Sequence, residues 1–127
     1  MKSKKPIIVT MGEPSGIASE IIIKVWLKRK VFKIPPFILI DDYEKLEQIN
    51  DYFNLKANFH LIMPGQDVSK IYPQSIPVID LKANINLTLG KPNKKNSKFV
   101  IESINQAFEL VYNNKASGMI TLPVCKK

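Results

Sequence analysis

Cysteine and histidine occur once each, at Cys125 and His60. One cysteine cannot close an intramolecular disulfide, and one cysteine with one histidine cannot build a Cys/His zinc site. Arginine is also single, at Arg29, although 19 basic residues face 11 acidic ones and the formal charge is +8. A basic balance invites a nucleic-acid reading, whose signature would be affinity that falls steeply with salt. Against it, arginine is the side chain suited to bidentate phosphate and guanine contacts. The lysines are also dispersed, apart from Lys2-Lys4-Lys5, Lys28-Arg29-Lys30 and Lys91 to Lys98. No apolar run reaches transmembrane length, and Ile7 to Thr10 is too short for a signal-peptide core. The expectation is a cytoplasmic protein with no nucleic-acid and no membrane partner. There are no internal repeats.

What is present fits one small domain. The chain has 127 residues, of which 45% are hydrophobic. Its most informative stretch is Pro6 to Glu20, PIIVTMGEPSGIASE. Ile7-Ile8-Val9-Thr10 is β-branched and apolar, which favours a buried strand, and Pro6 sits where a missing N–H is tolerated. Gly12-Glu13-Pro14-Ser15-Gly16 is a turn sequence. Ala18, Ile21, Ile22, Val25, Trp26 and Arg29 then follow the spacing of one helix face. Strand, glycine loop and helix together point free N–H groups and the positive end of a helix dipole at an anion. The loop is neither G-x-G-x-x-G nor G-x-x-x-x-G-K-[ST]. It can equally be a tight connection that uses Gly16 for a positive φ.

Further along, Ile34-Pro35-Pro36 ends the first helix. Phe37-Ile38-Leu39-Ile40 is continuously apolar, as in a strand covered on both faces of a parallel sheet. Asp41 and Asp42 follow it. Either could cap a helix from Tyr43 to Phe53, or accept from a ribose hydroxyl; the missing glycine fingerprint favours the cap. Asn58 to Met63 is predicted as a third strand, with His60 as a packed or half-exposed side chain and no metal role. Pro64-Gly65 marks a turn. Ile76 to Asp80 is a strand, placed at a sheet edge because of Pro77. Leu81 to Asn96 has no clear period and reads as a lid or binding loop. Ser97 or Asn96 caps a helix whose predicted stripe is Val100, Ile101, Ile104, Ala107, Phe108 and Val111. Gly118 to Thr121 is the last strand. The whole predicts an α/β fold: three layers, α/β/α, with a mainly parallel sheet.

Two stretches resemble a known family. MGEPSGIASEI is similar to the amino-terminal signature of the 4-hydroxythreonine-4-phosphate dehydrogenases of vitamin B6 synthesis, G-[DE]-P-[AS]-G-I-G-P-E. Gly12, Glu13, Pro14, Ser15, Gly16, Ile17 and Glu20 match it; Ala18 and Ser19 replace its Gly-Pro. GMITLPVCKK resembles that family's A-[LI]-[IV]-T-[AG]-P-[IV]-x-K, matching at Thr121, Pro123, Val124 and Lys126. The resemblance implies an architecture like the isocitrate and isopropylmalate dehydrogenases, with a cleft between two domains and a homodimer. It implies oxidation of a secondary alcohol by NAD or NADP with a divalent metal, then decarboxylation. The substrate would be a small phosphorylated hydroxy acid; relatives acting on phosphorylated threonate or erythronate carry the same early motifs. The family's metal-binding histidines and its later substrate motif have no counterpart here. The chain is therefore expected to be a truncated amino-terminal portion, a single partial domain over residues 1–127, without catalytic or metal residues of its own. Glu13, Ser15, Gly16, Thr121 and Lys126 are the expected cleft-facing residues. A non-catalytic phosphate- or anion-binding module is the alternative.

Overall fold

The computed structural model describes residues 5–12, 17–83 and 96–122. Within them lie β1 (Ile7–Thr10), α1 (Ile17–Leu27), β2 (Phe37–Asp41), α2 (Tyr43–Tyr52), β3 (Phe59–Leu61), β4 (Ile76–Asp80), α3 (Ser97–Tyr112) and β5 (Gly118–Thr121). The strands form one sheet in the order β3-β4-β2-β1-β5, and all four pairings are parallel. Helices cover both faces, giving the three layers expected of such a sheet.

Alternation along the strands sorts the core into two halves. Val9, Phe37, Leu39, Ile76 and Val78 point to the α1 and α2 side, where they meet Ile22, Ile23, Trp26, Leu46 and Ile49. Ile8, Ile38, Ile40 and Ile79 point the other way and meet Ala107 and Leu110 of α3. Ile23, Ile40, Leu46, Ile49, Ile76 and Val78 are fully buried. Each such side chain contributes about 1.5–3 kcal/mol relative to leaving it in water. The link between β3 and β4 is tied to the end of α1: Trp26 Nε1 donates to the Tyr72 carbonyl at 3.0 Å, and Arg29, whose guanidinium lies 3.6 Å from the centre of the indole ring, donates to the Pro73 carbonyl. Pro64-Gly65 forms the predicted turn, with Gly65 at φ +85 beside the Lys115 side chain.

Three local expectations are corrected. Strand β4 is not at an edge; it lies between β3 and β2. Its register with β2 begins at Leu39–Val78, one residue past Pro77, so the absent N–H falls below that ladder. On the β3 side the bonds are carried by its neighbours, Ile76 N to Asn58 O and Ile62 N to Val78 O. Helix α1 buries Ala18, Ser19, Ile22, Ile23 and Trp26, leaving Ile21 exposed. Helix α3 buries Val100, Ser103, Ala107 and Leu110, whereas Ile101 and Phe108 face outward. Both helices carry more apolar surface than one buried face can use, and spacing alone does not say which part wins.

Candidate functional site

The strand order reverses at β1. The chain passes from β1 to β2 with α1 on one face, and reaches β1's other neighbour, β5, with α3 on the opposite face. In open parallel sheets the crevice outside the carboxyl ends of the strands at such a point is where ligands bind. Thr10 and Thr121 are register partners there, each the last residue of its strand. Met11 and Gly12 continue from β1 and are buried. Met11 packs with Val100 of α3, and its N–H donates to Ser103 Oγ at 3.1 Å. Ser103 Oγ in turn donates to the Val100 carbonyl at 2.7 Å. The start of the glycine loop is thus pinned to α3 by a buried hydroxyl that both accepts and donates. Thr10 Oγ1 is buried and has no hydrogen-bond partner among the described residues. A buried hydroxyl left without a partner calls for an explanation, and a position in a ligand crevice supplies one.

Of the residues expected to face the cleft, Thr121 is described, exposed at the carboxyl end of β5 beside Thr10. Glu13, Ser15, Gly16 and Lys126 lie outside the described residues, as does most of the irregular segment before α3. His60 is exposed on β3, at the far edge of the sheet from β1. Thr10 and Ser103 were not singled out in the sequence. A hydroxyl residue closing an apolar strand just before a glycine loop is a usable signal for the first. A serine within the inward stripe of α3, between Val100 and Ala107, is one for the second.

The acidic residues at the ends of β2 and β4 are occupied otherwise. Asp42 caps α2: its Oδ2 accepts from Lys45 N at 3.0 Å, and its Oδ1 accepts from Ala83 N at 2.9 Å. The cap reading of the Asp-Asp pair therefore holds for Asp42. Asp80 Oδ1 accepts from Tyr43 N at 3.1 Å and Lys82 N at 3.0 Å. Asp41 instead turns under α2 and forms a buried ion pair, with Lys45 Nζ 2.6 Å from its Oδ1 and both side chains sealed from solvent. Burial pushes the Asp41 carboxyl above its ordinary value, and the nearby Lys45 ammonium pulls it partly back. Among the described residues no group of three or more His, Cys, Asp or Glu side chains is arranged to hold a metal ion. No helix among them is long and apolar enough to cross a membrane.

Comparison with known proteins agrees with this geometry. Residues 33–127 match the family described as pyridoxal phosphate biosynthetic protein PdxA. That match begins after the glycine loop, so it does not depend on the loop's sequence. The chain is 35% identical over 124 residues to a 4-hydroxythreonine-4-phosphate dehydrogenase of Methylorubrum extorquens, covering 96% of this chain and 35% of that protein. To the enzyme of the same name from Zymomonas mobilis it is 33% identical over 122 residues, covering 96% and 35%. The crystal structure of a 4-hydroxythreonine-4-phosphate dehydrogenase from Burkholderia phymatum superposes with a TM-score of 0.83 at 25% identity, over 98% of this chain and 38% of that one. The chain thus spans about a third of the length of these curated relatives. With the family match over residues 33–127 and the parallel sheet whose strand order reverses at β1, the chain belongs to the PdxA family of pyridoxal phosphate biosynthetic proteins.

Proposed function

We propose that this chain is the amino-terminal portion of an NAD- or NADP-dependent dehydrogenase acting on 4-hydroxythreonine 4-phosphate, and that alone it does not turn over. The observation that carries the reading is the pairing of a buried Thr10 hydroxyl, without a partner among the described residues, with the exposed Thr121 at the point where the strand order reverses. Curated relatives bear that substrate in their names, and this chain aligns with about a third of their length. Thr10 and Thr121 offer hydroxyls that can orient a polar group of the substrate. Glu13, Ser15, Gly16 and Lys126 are proposed to complete this wall of the cleft: backbone N–H groups and Ser15 toward an anion, Lys126 as positive charge.

A nicotinamide cofactor would supply the hydride acceptor, and hydride transfer needs alcohol and acceptor held at near-contact distance. One wall cannot impose that distance. The divalent metal that such chemistry implies does not fit the described residues, which gather no ligand set. The family's substrate class extends to other small phosphorylated hydroxy acids, phosphorylated threonate and erythronate among them. A homodimer is proposed for the complete enzyme. The test is an assay of the isolated 127-residue chain with NAD⁺, a divalent metal and phosphorylated hydroxythreonine. No turnover is expected; appreciable turnover would refute the claim that the reacting parts lie elsewhere.

A further inference from the structure

All strands run the same way, and each helix carries the chain back to the amino end of the next strand. The carboxyl-terminal turns of α1, α2 and α3 therefore all lie at the amino end of the sheet, opposite the crevice. Backbone hydrogen bonds tie that end together: Ile7 N–H donates to the Pro36 carbonyl at 3.2 Å, and Ser117 N–H to the Pro6 carbonyl at 3.0 Å. Each of the three turns puts apolar bulk into water. After α1, Val31 is 76% and Phe32 65% exposed; Tyr52 and Phe53 are exposed at the end of α2, and Tyr112 at the end of α3. The turn that carries Val31 and Phe32 is closed by its own backbone, Phe32 N–H donating to the Lys28 carbonyl at 3.1 Å and Ile34 N–H to the Arg29 carbonyl at 2.9 Å. Beside Phe32, Ile21, Val25 and Ile34 line an apolar hollow together with Lys24 and Lys28.

The same turns are basic. Over residues 28–35, 51–58 and 112–117, Lys28, Arg29, Lys30, Lys33, Lys56 and Lys115 stand against Asp51 alone. The five lysines are exposed. Arg29 is engaged elsewhere: its guanidinium lies over the Trp26 ring and donates to the Trp26 and Pro73 carbonyls. A lysine in the last turn of a helix suits the dipole, but that effect fades within the turn. Lys33 and Lys56 lie past the ends of α1 and α2, at φ +52 and +63. Glycine or asparagine adopts that left-handed conformation at lower cost, as Asn54 and Asn114 do beside them. The dipole therefore explains neither these two lysines nor the bare apolar side chains among them.

The occupant follows from the mixture. Nucleic acid would take the lysines but leave Val31, Phe32 and Tyr52 in water, and the arginine that reads bases best is occupied inside the protein. A bilayer surface uses both kinds of residue: apolar side chains enter the boundary between headgroups and acyl chains, and lysines meet anionic headgroups. Tyrosine suits that level too, with its ring in the apolar layer and its hydroxyl in water. We propose that the amino end of the sheet is a peripheral docking surface for an anionic phospholipid bilayer. Val31 and Phe32 are the inserted residues, and Lys28, Lys30, Lys33 and Lys56 lie on the headgroups. The expectation of no membrane partner rested on the length of apolar runs, which bears on spanning a bilayer and not on lying against one. The crevice at β1 and β5 is at the other end of the sheet, so docking does not cover it. The inference does not depend on the activity proposed above.

Vesicle flotation tests it, with the 127-residue chain and vesicles of phosphatidylcholine, alone or with about a third phosphatidylglycerol. Binding is expected to be about ten-fold tighter on the anionic vesicles and to weaken as salt rises. Val31→Ser with Phe32→Ser, and separately Lys30→Gln with Lys33→Gln, should each weaken it about ten-fold. Neither pair should lower the Tm, because all four side chains are exposed. Phe32→Trp should emit at shorter wavelength on anionic vesicles than in buffer, over a constant contribution from the buried Trp26. Ile101→Ser with Phe108→Ser removes exposed apolar surface from α3 instead and should leave binding unchanged. Equal binding to neutral and anionic vesicles, or none to either, would overturn the proposal. So would binding that survives either of the first two pairs, or that the α3 pair weakens as much, since that is adsorption without a defined surface. Double-stranded DNA bound as tightly as the anionic vesicles, and indifferent to Val31→Ser with Phe32→Ser, would assign the lysines to nucleic acid and overturn it as well.

Discussion

Lys45 and Asp41 meet in the interior with 2.6 Å between Nζ and Oδ1, and Asp41 Oδ2 has no hydrogen-bond partner among the described residues. Breaking a buried pair from one side leaves a charge uncompensated, which costs about 3–5 kcal/mol, whereas replacing both partners with apolar residues is often near neutral. Lys45→Met is expected to destabilise by that amount in urea unfolding, and Asp41→Leu with Lys45→Met to recover most of it. The pH dependence has a definite sign. A carboxyl whose folded pKa is raised gives stability that is present below its unfolded value, near 3.8, and lost as pH rises through the folded value. Removing Lys45 raises Asp41 further, so the Lys45→Met defect should be smaller near pH 4 than at pH 8. Ser103 supports a second prediction. Ser103→Ala strips the Met11 N–H of its buried acceptor and should cost about 1–3 kcal/mol. The Asp42 cap could be read in the sequence, because an aspartate before a helix pattern has one common use. The Asp41–Lys45 pair could not, because four-residue spacing says that two side chains can meet and not that they are buried when they do.

At the scale of elements, the strands were legible wherever branched apolar residues ran together, as at Ile7–Thr10 and Phe37–Asp41. Pro77 misled: it signalled an edge, but its place below the β2 ladder lets β4 sit inside the sheet. Helix α3 misled in another way. Its apolar residues form two adjacent stripes, and burial selects Val100, Ala107 and Leu110 over Ile101 and Phe108. The two stripes should respond oppositely to substitution. Ala107→Leu overfills a fully buried position and should destabilise by about 1–3 kcal/mol. Phe108→Lys, on the outer stripe, should change the stability of the isolated chain by less than about 0.5 kcal/mol. Thermal unfolding of the two variants decides the matter.

For the whole molecule, membership in the family and the parallel α/β architecture were both readable from two short motifs in matching order, and the family match extends over residues 33–127. The candidate site was readable only in part. Thr121 stands out as a motif residue at a strand end, whereas Thr10 gains meaning only from its place in the sheet, beside Thr121 and at the reversal of strand order. The most direct measurement is NADH formation from phosphorylated hydroxythreonine by a chimera in which this chain replaces the matching first third of the Methylorubrum extorquens enzyme, beside the isolated chain and the chimera carrying Thr121→Val. The account expects no turnover from the isolated chain and turnover from the chimera. It also expects a loss of about ten-fold or more in kcat/KM on Thr121→Val, the cost of one hydrogen bond to a charged group. Turnover by the isolated chain, or a folded chimera indifferent to Thr121, would contradict it.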